Sequence, residues 1–161
     1  MRITRKHETG LTHEQETYLL RRGLFEVQNE VGLGMHEEAY HQAYRIWLQS
    51  QGVRVLSKPP HRLHLRGEVA CTLTPDFVVW DAITVELKAL HRRLHDEEKV
   101  QLFDYLKCRG DHLGLLVNVG LDRVYVDRLA YTPSTPDLKE EWGQWTGRIP
   151  GSEREIGVRV H

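Results

Sequence analysis

Apolar residues recur at Leu20, Leu24, Val27 and Val31, the i, i+4, i+7, i+11 spacing of one helical face, so an amphipathic helix is predicted over Glu14 to Val31. Gly23 interrupts that span, and Gly32-Leu33-Gly34 ends it. Ala39, Tyr40, Ala43, Tyr44, Ile46, Trp47 and Leu48 form a broad apolar stripe that predicts a second, strongly packed helix, stopped at Gly52. From Val53 the period shortens to two. Val53 and Val55 flank Arg54, and Leu63 and Leu65 flank His64, around the Pro59-Pro60 interruption: two short strands, or one broken strand.

Phe77-Val78-Val79-Trp80 and Ile83-Thr84-Val85-Glu86-Leu87 are rich in β-branched and aromatic residues and are separated by Asp81-Ala82, which predicts a hairpin. Asp96, Glu97 and Glu98 suit a helix start, Val100, Phe103 and Leu106 its buried stripe, and Gly110 its end. Leu113 to Val119 reads as a buried strand and Arg123 to Val126 as another. The order α-α-β-β-β-α-β-β implies a mixed α/β domain in which a helical crossover joins the hairpin to a following strand. Beyond about Ala130 the pattern weakens. Tyr131 to Pro136 is turn-rich, Trp142 and Trp145 are candidates to pack back on the body, and Gly151 to His161 reads as a tail or a late strand.

The chain has 161 residues, 40% hydrophobic and 28% charged, which suits one globular domain with its own core and excludes disordered, collagenous and membrane classes. Lys and Arg number 22 against 23 Asp and Glu, so any hold on a polyanion must come from a local patch. No apolar run suits a signal peptide or a membrane span, and a soluble, cytoplasmic protein is expected. Cys71 and Cys108 are too few for a disulfide framework and are read as reduced.

Side chains alternate along a strand, so Thr84, Glu86 and Lys88 share one face while Ile83, Val85 and Leu87 share the other. Paired residues of an antiparallel hairpin also share a face. A three-residue loop of Trp80-Asp81-Ala82 would therefore pair Asp76 with Glu86. Two adjacent carboxylates repel unless a cation lies between them, and Mg²⁺ prefers such oxygens. Lys88 beside them would orient water or offset developing negative charge. The plainer alternative is a Glu-x-Lys on a solvated strand face.

Pro75-Asp76, followed after nine residues by Glu86-Leu87-Lys88, resembles the signature of the PD-(D/E)XK nuclease superfamily, and Gln101 with Tyr105 resembles the Gln-x-x-x-Tyr of its next helix. Gly34-Met35-His36-Glu37-Glu38-Ala39-Tyr40 resembles the motif of the GxxExxY family within it. Gly32-Leu33-Gly34 is similar to that family's Gly-Pro-Gly, with Leu33 in place of proline, and Leu113 to Asn118 resembles its Leu-Gly-Leu-Leu-Ile-Asn strand.

The resemblance implies a restriction-endonuclease-like mixed β-sheet flanked by helices, a single nuclease-like domain over residues 1–130, and a C-terminal extension of unknown role over 131–161. It further implies phosphodiester cleavage in nucleic acid, DNA ahead of RNA, dependent on Mg²⁺ with Mn²⁺ as a substitute. Asp76, Glu86 and the Leu87 carbonyl would hold the metal, and Lys88 would position the nucleophile. Glu37 would add a carboxylate, or with Glu38 would simply sit well at a helix N-terminus. Gln101 and Tyr105 share a helix face, turned toward substrate and Lys88 or forming only a polar rim.

Arg92 and Arg93, just beyond Lys88, lead the candidate phosphate contacts. The histidine pairs His91/His95 and His61/His64 lack evident further ligands for zinc, and phosphate-binding glycine loops are absent. The rival readings are a nucleic-acid-binding or regulatory module that hydrolyses little, and a subunit active only within a larger DNA-processing assembly.

Overall fold

A computed structural model of the chain describes residues 13–111 and 113–131. The turn-rich segment, Trp142, Trp145 and the tail fall almost entirely outside these residues. Helices α1 (Glu14–Val31) and α2 (Glu37–Ser50) come first, followed by strands β1 (Val55–Ser57), β2 (His61–Leu65), β3 (Glu68–Leu73), β4 (Phe77–Val79) and β5 (Ile83–Lys88). Helix α3 (Asp96–Arg109) then leads to β6 (Leu113–Asn118) and β7 (Tyr125–Ala130). The main sheet runs β1-β4-β5-β6-β7 and is mixed: β5 and β6 are parallel across the α3 crossover, and the other neighbours are antiparallel.

The two sheet faces bury different helices. Ile83, Val85 and Leu87 of β5 join Leu113, Leu115 and Val117 of β6 against Leu20, Leu24, Tyr40, Tyr44 and Leu48 of α1 and α2. On the other face Leu116 packs under Leu102, Tyr105 and Leu106 of α3. Burial of each leucine contributes about 1.5–3 kcal/mol. The link between α1 and α2 is closed by Tyr40, whose hydroxyl donates to the Gly32 carbonyl at 2.6 Å. Gly32 and Gly34 there have φ of 80° and 81°, left-handed values that favour glycine. This turn sets where α2, and therefore Glu37, begins.

Several expectations need correction. Ile46 is 58% exposed and Val100 57% exposed. Helix α3 buries Leu106 as expected, but Leu102 and Tyr105 join it against Leu116 where Val100 was expected, and Phe103 is only partly buried. Strand β2 does not enter the main sheet. It pairs only with β3, absent from the expected order, in a separate two-stranded sheet with mostly exposed side chains. The last strand begins at Tyr125 and not at Arg123.

Candidate active site

The hairpin register decides the site. Phe77 pairs with Val85 and Val79 with Ile83 around the loop Trp80-Asp81-Ala82, which carries Asp76 opposite Glu86. Trp80 and Asp81 both take positive φ, the backbone of a tight hairpin turn, and Arg109 reaches Asp81 at 3.1 Å. Asp76, Glu86 and Lys88 converge where β4 begins and β5 ends, while Val85 and Leu87 are buried against α1 and α2.

Each group is held by named partners. The Asp76 amide donates to Glu86 Oε2 at 3.3 Å, and the Leu87 amide donates to Asp76 Oδ2 at 2.8 Å. Lys88 Nζ donates to Glu86 Oε1 at 2.9 Å. Burial, then the neighbouring Asp76 carboxylate, push the Glu86 pKa up, and Lys88 only partly opposes them. Burial works against the Lys88 ammonium, but the carboxylates of Glu86, Glu37 and Asp76 outweigh it and hold its pKa above the ordinary value. Lys88 therefore keeps its charge here and donates to Glu86.

This donor set fits a hard divalent cation. Two carboxylates share one face, and the more buried of them is short of positive charge despite its lysine. Among the described residues no group of three or more His, Cys, Asp and Glu side chains gathers as a metal cluster. A cation here would thus rest on two carboxylates together with backbone and water oxygens.

Helices α2 and α3 approach from opposite faces of the sheet. Glu37 Oε2 accepts the Ala89 amide at 3.2 Å, so it flanks Lys88 without completing a three-carboxylate cluster. Gln101 is exposed and does not touch the carboxylates. Its Nε2 donates to the Tyr105 hydroxyl at 3.0 Å, which donates to the Thr74 carbonyl at 3.3 Å. Burial, then the Glu86 charge, raise the Tyr105 pKa and keep the phenol protonated.

Sequence reasoning missed His41. The residue is 1% exposed, and its ring places Nδ1 3.2 Å from Asp76 Oδ1 and Nε2 2.8 Å from Ser57 Oγ. The available signal was its i+4 spacing from Glu37, which puts both on one face of α2. Arg92 also differs from expectation: its guanidinium is engaged by Glu98 at 2.5 Å, the carboxylate that also caps α3 through the His95 amide. Lys58 is likewise paired with Glu38 at 2.9 Å. Arg93 is exposed, without an ion pair among the described residues.

No curated protein matches the chain. Two solved structures are similar at 14% identity: SSO0001, at a TM-score of 0.48 over 78% of this chain and 81% of that one, and an alkaline exonuclease (LHK-Exo) from Laribacter hongkongensis, at 0.46 over 86% and 78%. The model of the PD-(D/E)XK nuclease superfamily matches residues 14–129, a span that takes in both helices before the sheet, the whole hairpin and the crossover. With most of its length inside that match, the chain belongs to the PD-(D/E)XK nuclease superfamily, and with it to the enzymes that cleave phosphodiester bonds.

Proposed function

We propose that the protein is a Mg²⁺-dependent nuclease of the GxxExxY branch, with Mn²⁺ able to substitute, that hydrolyses nucleic acid and prefers DNA to RNA. Members of the superfamily usually use divalent metal ions. The observation that carries the reading is the Asp76-Glu86-Lys88 convergence, in which a buried carboxylate stays undercompensated beside a second one.

Asp76, Glu86 and the Leu87 carbonyl would hold the cation. When bound, it lowers the pKa of water and stabilises negative charge on the phosphoryl oxygens. Lys88 Nζ, charged and anchored on Glu86 Oε1, donates to the attacking water or to a phosphoryl oxygen, orienting the first and offsetting charge on the second. Glu37 fixes the Ala89 amide and thereby the backbone just beyond Lys88. Gln101 offers substrate an amide already oriented by Tyr105. Arg93, exposed while Arg92 is engaged by Glu98, is the phosphate contact favoured over Arg92.

A panel of single-stranded and double-stranded DNA and RNA, incubated with Mg²⁺ or Mn²⁺, tests the proposal. Cutting should occur, fall away with EDTA, and be lost in Asp76→Asn at nearly unchanged thermal stability. Ca²⁺ should bind without supporting turnover. No cutting, together with no divalent-ion binding that Asp76→Asn removes, would refute the nuclease reading and leave a binding module as the better account.

A further inference from the structure

The packing of α2 on the sheet does not by itself call for a histidine at position 41. The ring stacks on Phe77 at 4.2 Å between centroids, a contact that phenylalanine would make equally well. A buried imidazole is tolerated only when its nitrogens are bonded, and here both are: Nδ1 to Asp76 Oδ1 and Nε2 to Ser57 Oγ. An ionised carboxylate only accepts, so Nδ1 carries the proton. In the neutral ring Nε2 then accepts from the Ser57 hydroxyl.

We infer that His41 is a positioning residue, oriented by Ser57, that holds the Asp76 carboxylate in the pose needed to bind the cation. The inference rests on the nuclease reading and adds a chain of three side chains from α2, β1 and the start of β4. Asp76 is gripped at both oxygens, by His41 at Oδ1 and by the Leu87 amide at Oδ2. Each carboxylate oxygen accepts in two directions, so both grips leave room for a cation. His41 is not itself the ligand, because a metal would have to displace one of its two bonds.

The arrangement makes an asymmetric prediction. An asparagine amide N–H lies close to the position of a histidine Nδ1, whereas a glutamine amide extends toward that of Nε2. His41→Asn therefore keeps a donor for Asp76 and drops Ser57, and His41→Gln does the reverse. Mn²⁺ affinity, measured by electron paramagnetic resonance on the whole chain, should fall only severalfold in His41→Asn, which loses the Ser57 bond alone, and weaken by about 10–100-fold in His41→Gln and His41→Phe. With cation limiting, kcat should follow that affinity, while KM for nucleic acid should hold.

Wild-type affinity in His41→Phe would reduce the ring to packing and overturn the inference. Equal losses in His41→Asn and His41→Gln would do the same. Should His41→Phe fail to fold, Ser57→Ala removes only the outer bond from an exposed position, and its Mn²⁺ affinity should still fall severalfold. Unchanged affinity there would remove the orienting role. A wild type that binds Mn²⁺ and cuts, with His41→Gln equally competent, sinks this inference alone; a wild type that binds no cation sinks the nuclease reading with it.

Discussion

Gly120 stands where no side chain fits. An added Cβ would lie 2.5 Å from the Ala89 carbonyl carbon and the Leu90 nitrogen, and 2.6 Å from the Leu90 oxygen. These atoms belong to the backbone immediately after Lys88. That backbone is tied down by the Val119 amide to the Lys88 carbonyl at 2.8 Å and by the Leu90 amide to Asn118 Oδ1 at 3.0 Å. No rotamer change relieves a clash with backbone, so Gly120→Ala must move the segment that ends β5. Overpacking costs about 1–3 kcal/mol, and each hydrogen bond lost adds about 0.5–1.5 kcal/mol, for roughly 2–6 kcal/mol with both bonds broken.

Gly114→Ala is the internal control. The three atoms nearest its added Cβ all belong to the Leu102 side chain, at 2.9 Å, and a side chain yields more readily than backbone, so the cost should stay within the about 1–3 kcal/mol of overpacking, with no hydrogen bond lost. Urea denaturation of the two variants and wild type, followed by circular dichroism, reads both numbers. The melting temperature should follow at about 2–8 °C per kcal/mol. Gly120→Ala as stable as wild type, or less harmed than Gly114→Ala, would refute the close-approach argument.

Divalent-ion binding should stabilise the wild type by about 2.7 kcal/mol at 100 times Kd, and Asp76→Asn should erase the gain in the same thermal scan. The raised Glu86 pKa has a definite sign without metal: the unfolded carboxyl loses its proton near the ordinary 4.5 and the folded one at higher pH. Its stability contribution is thus fully present below pH 4.5 and is lost as pH rises through the folded value; Glu86→Gln should flatten that part of the pH dependence in urea midpoints, and an unchanged slope would contradict it. Arg93→Ala should weaken nucleic-acid binding at unchanged stability and lower the salt slope by about 1, measured by fluorescence anisotropy across a salt series. Glu98→Ala, which removes the α3 cap and the Arg92 partner, should instead cost about 1 kcal/mol of stability by urea denaturation.

Local periodicity carried much of this fold. Helix α1 spans Glu14–Val31 as the apolar spacing predicts, and the hairpin pairs across Trp80-Asp81-Ala82 because alternation leaves one register that buries Ile83, Val85 and Leu87 together. Periodicity does not say which of two adjacent helix faces meets the core, hence the exposure of Ile46 and Val100. Strand β3 was illegible because Glu68–Leu73 buries almost nothing, and an unburied strand needs no apolar alternation. Within the site, the convergence of Asp76, Glu86 and Lys88 followed from strand geometry. The contact of His41 with Asp76 spans 35 residues, and Arg92 finds Glu98 across a loop-to-helix junction; neither pairing leaves a local pattern.

The central claim is that Asp76 and Glu86 bind a cation while Lys88 acts on the reacting groups, and single-turnover cleavage by Lys88→Met at saturating Mg²⁺ separates those roles. The substitution removes the ammonium and keeps much of the side-chain volume. The account predicts cleavage slower by about 10²–10⁴-fold, with Mn²⁺ binding retained and the melting temperature of the cation-loaded protein nearly unchanged. Lys88→Met cutting at the wild-type rate would contradict it.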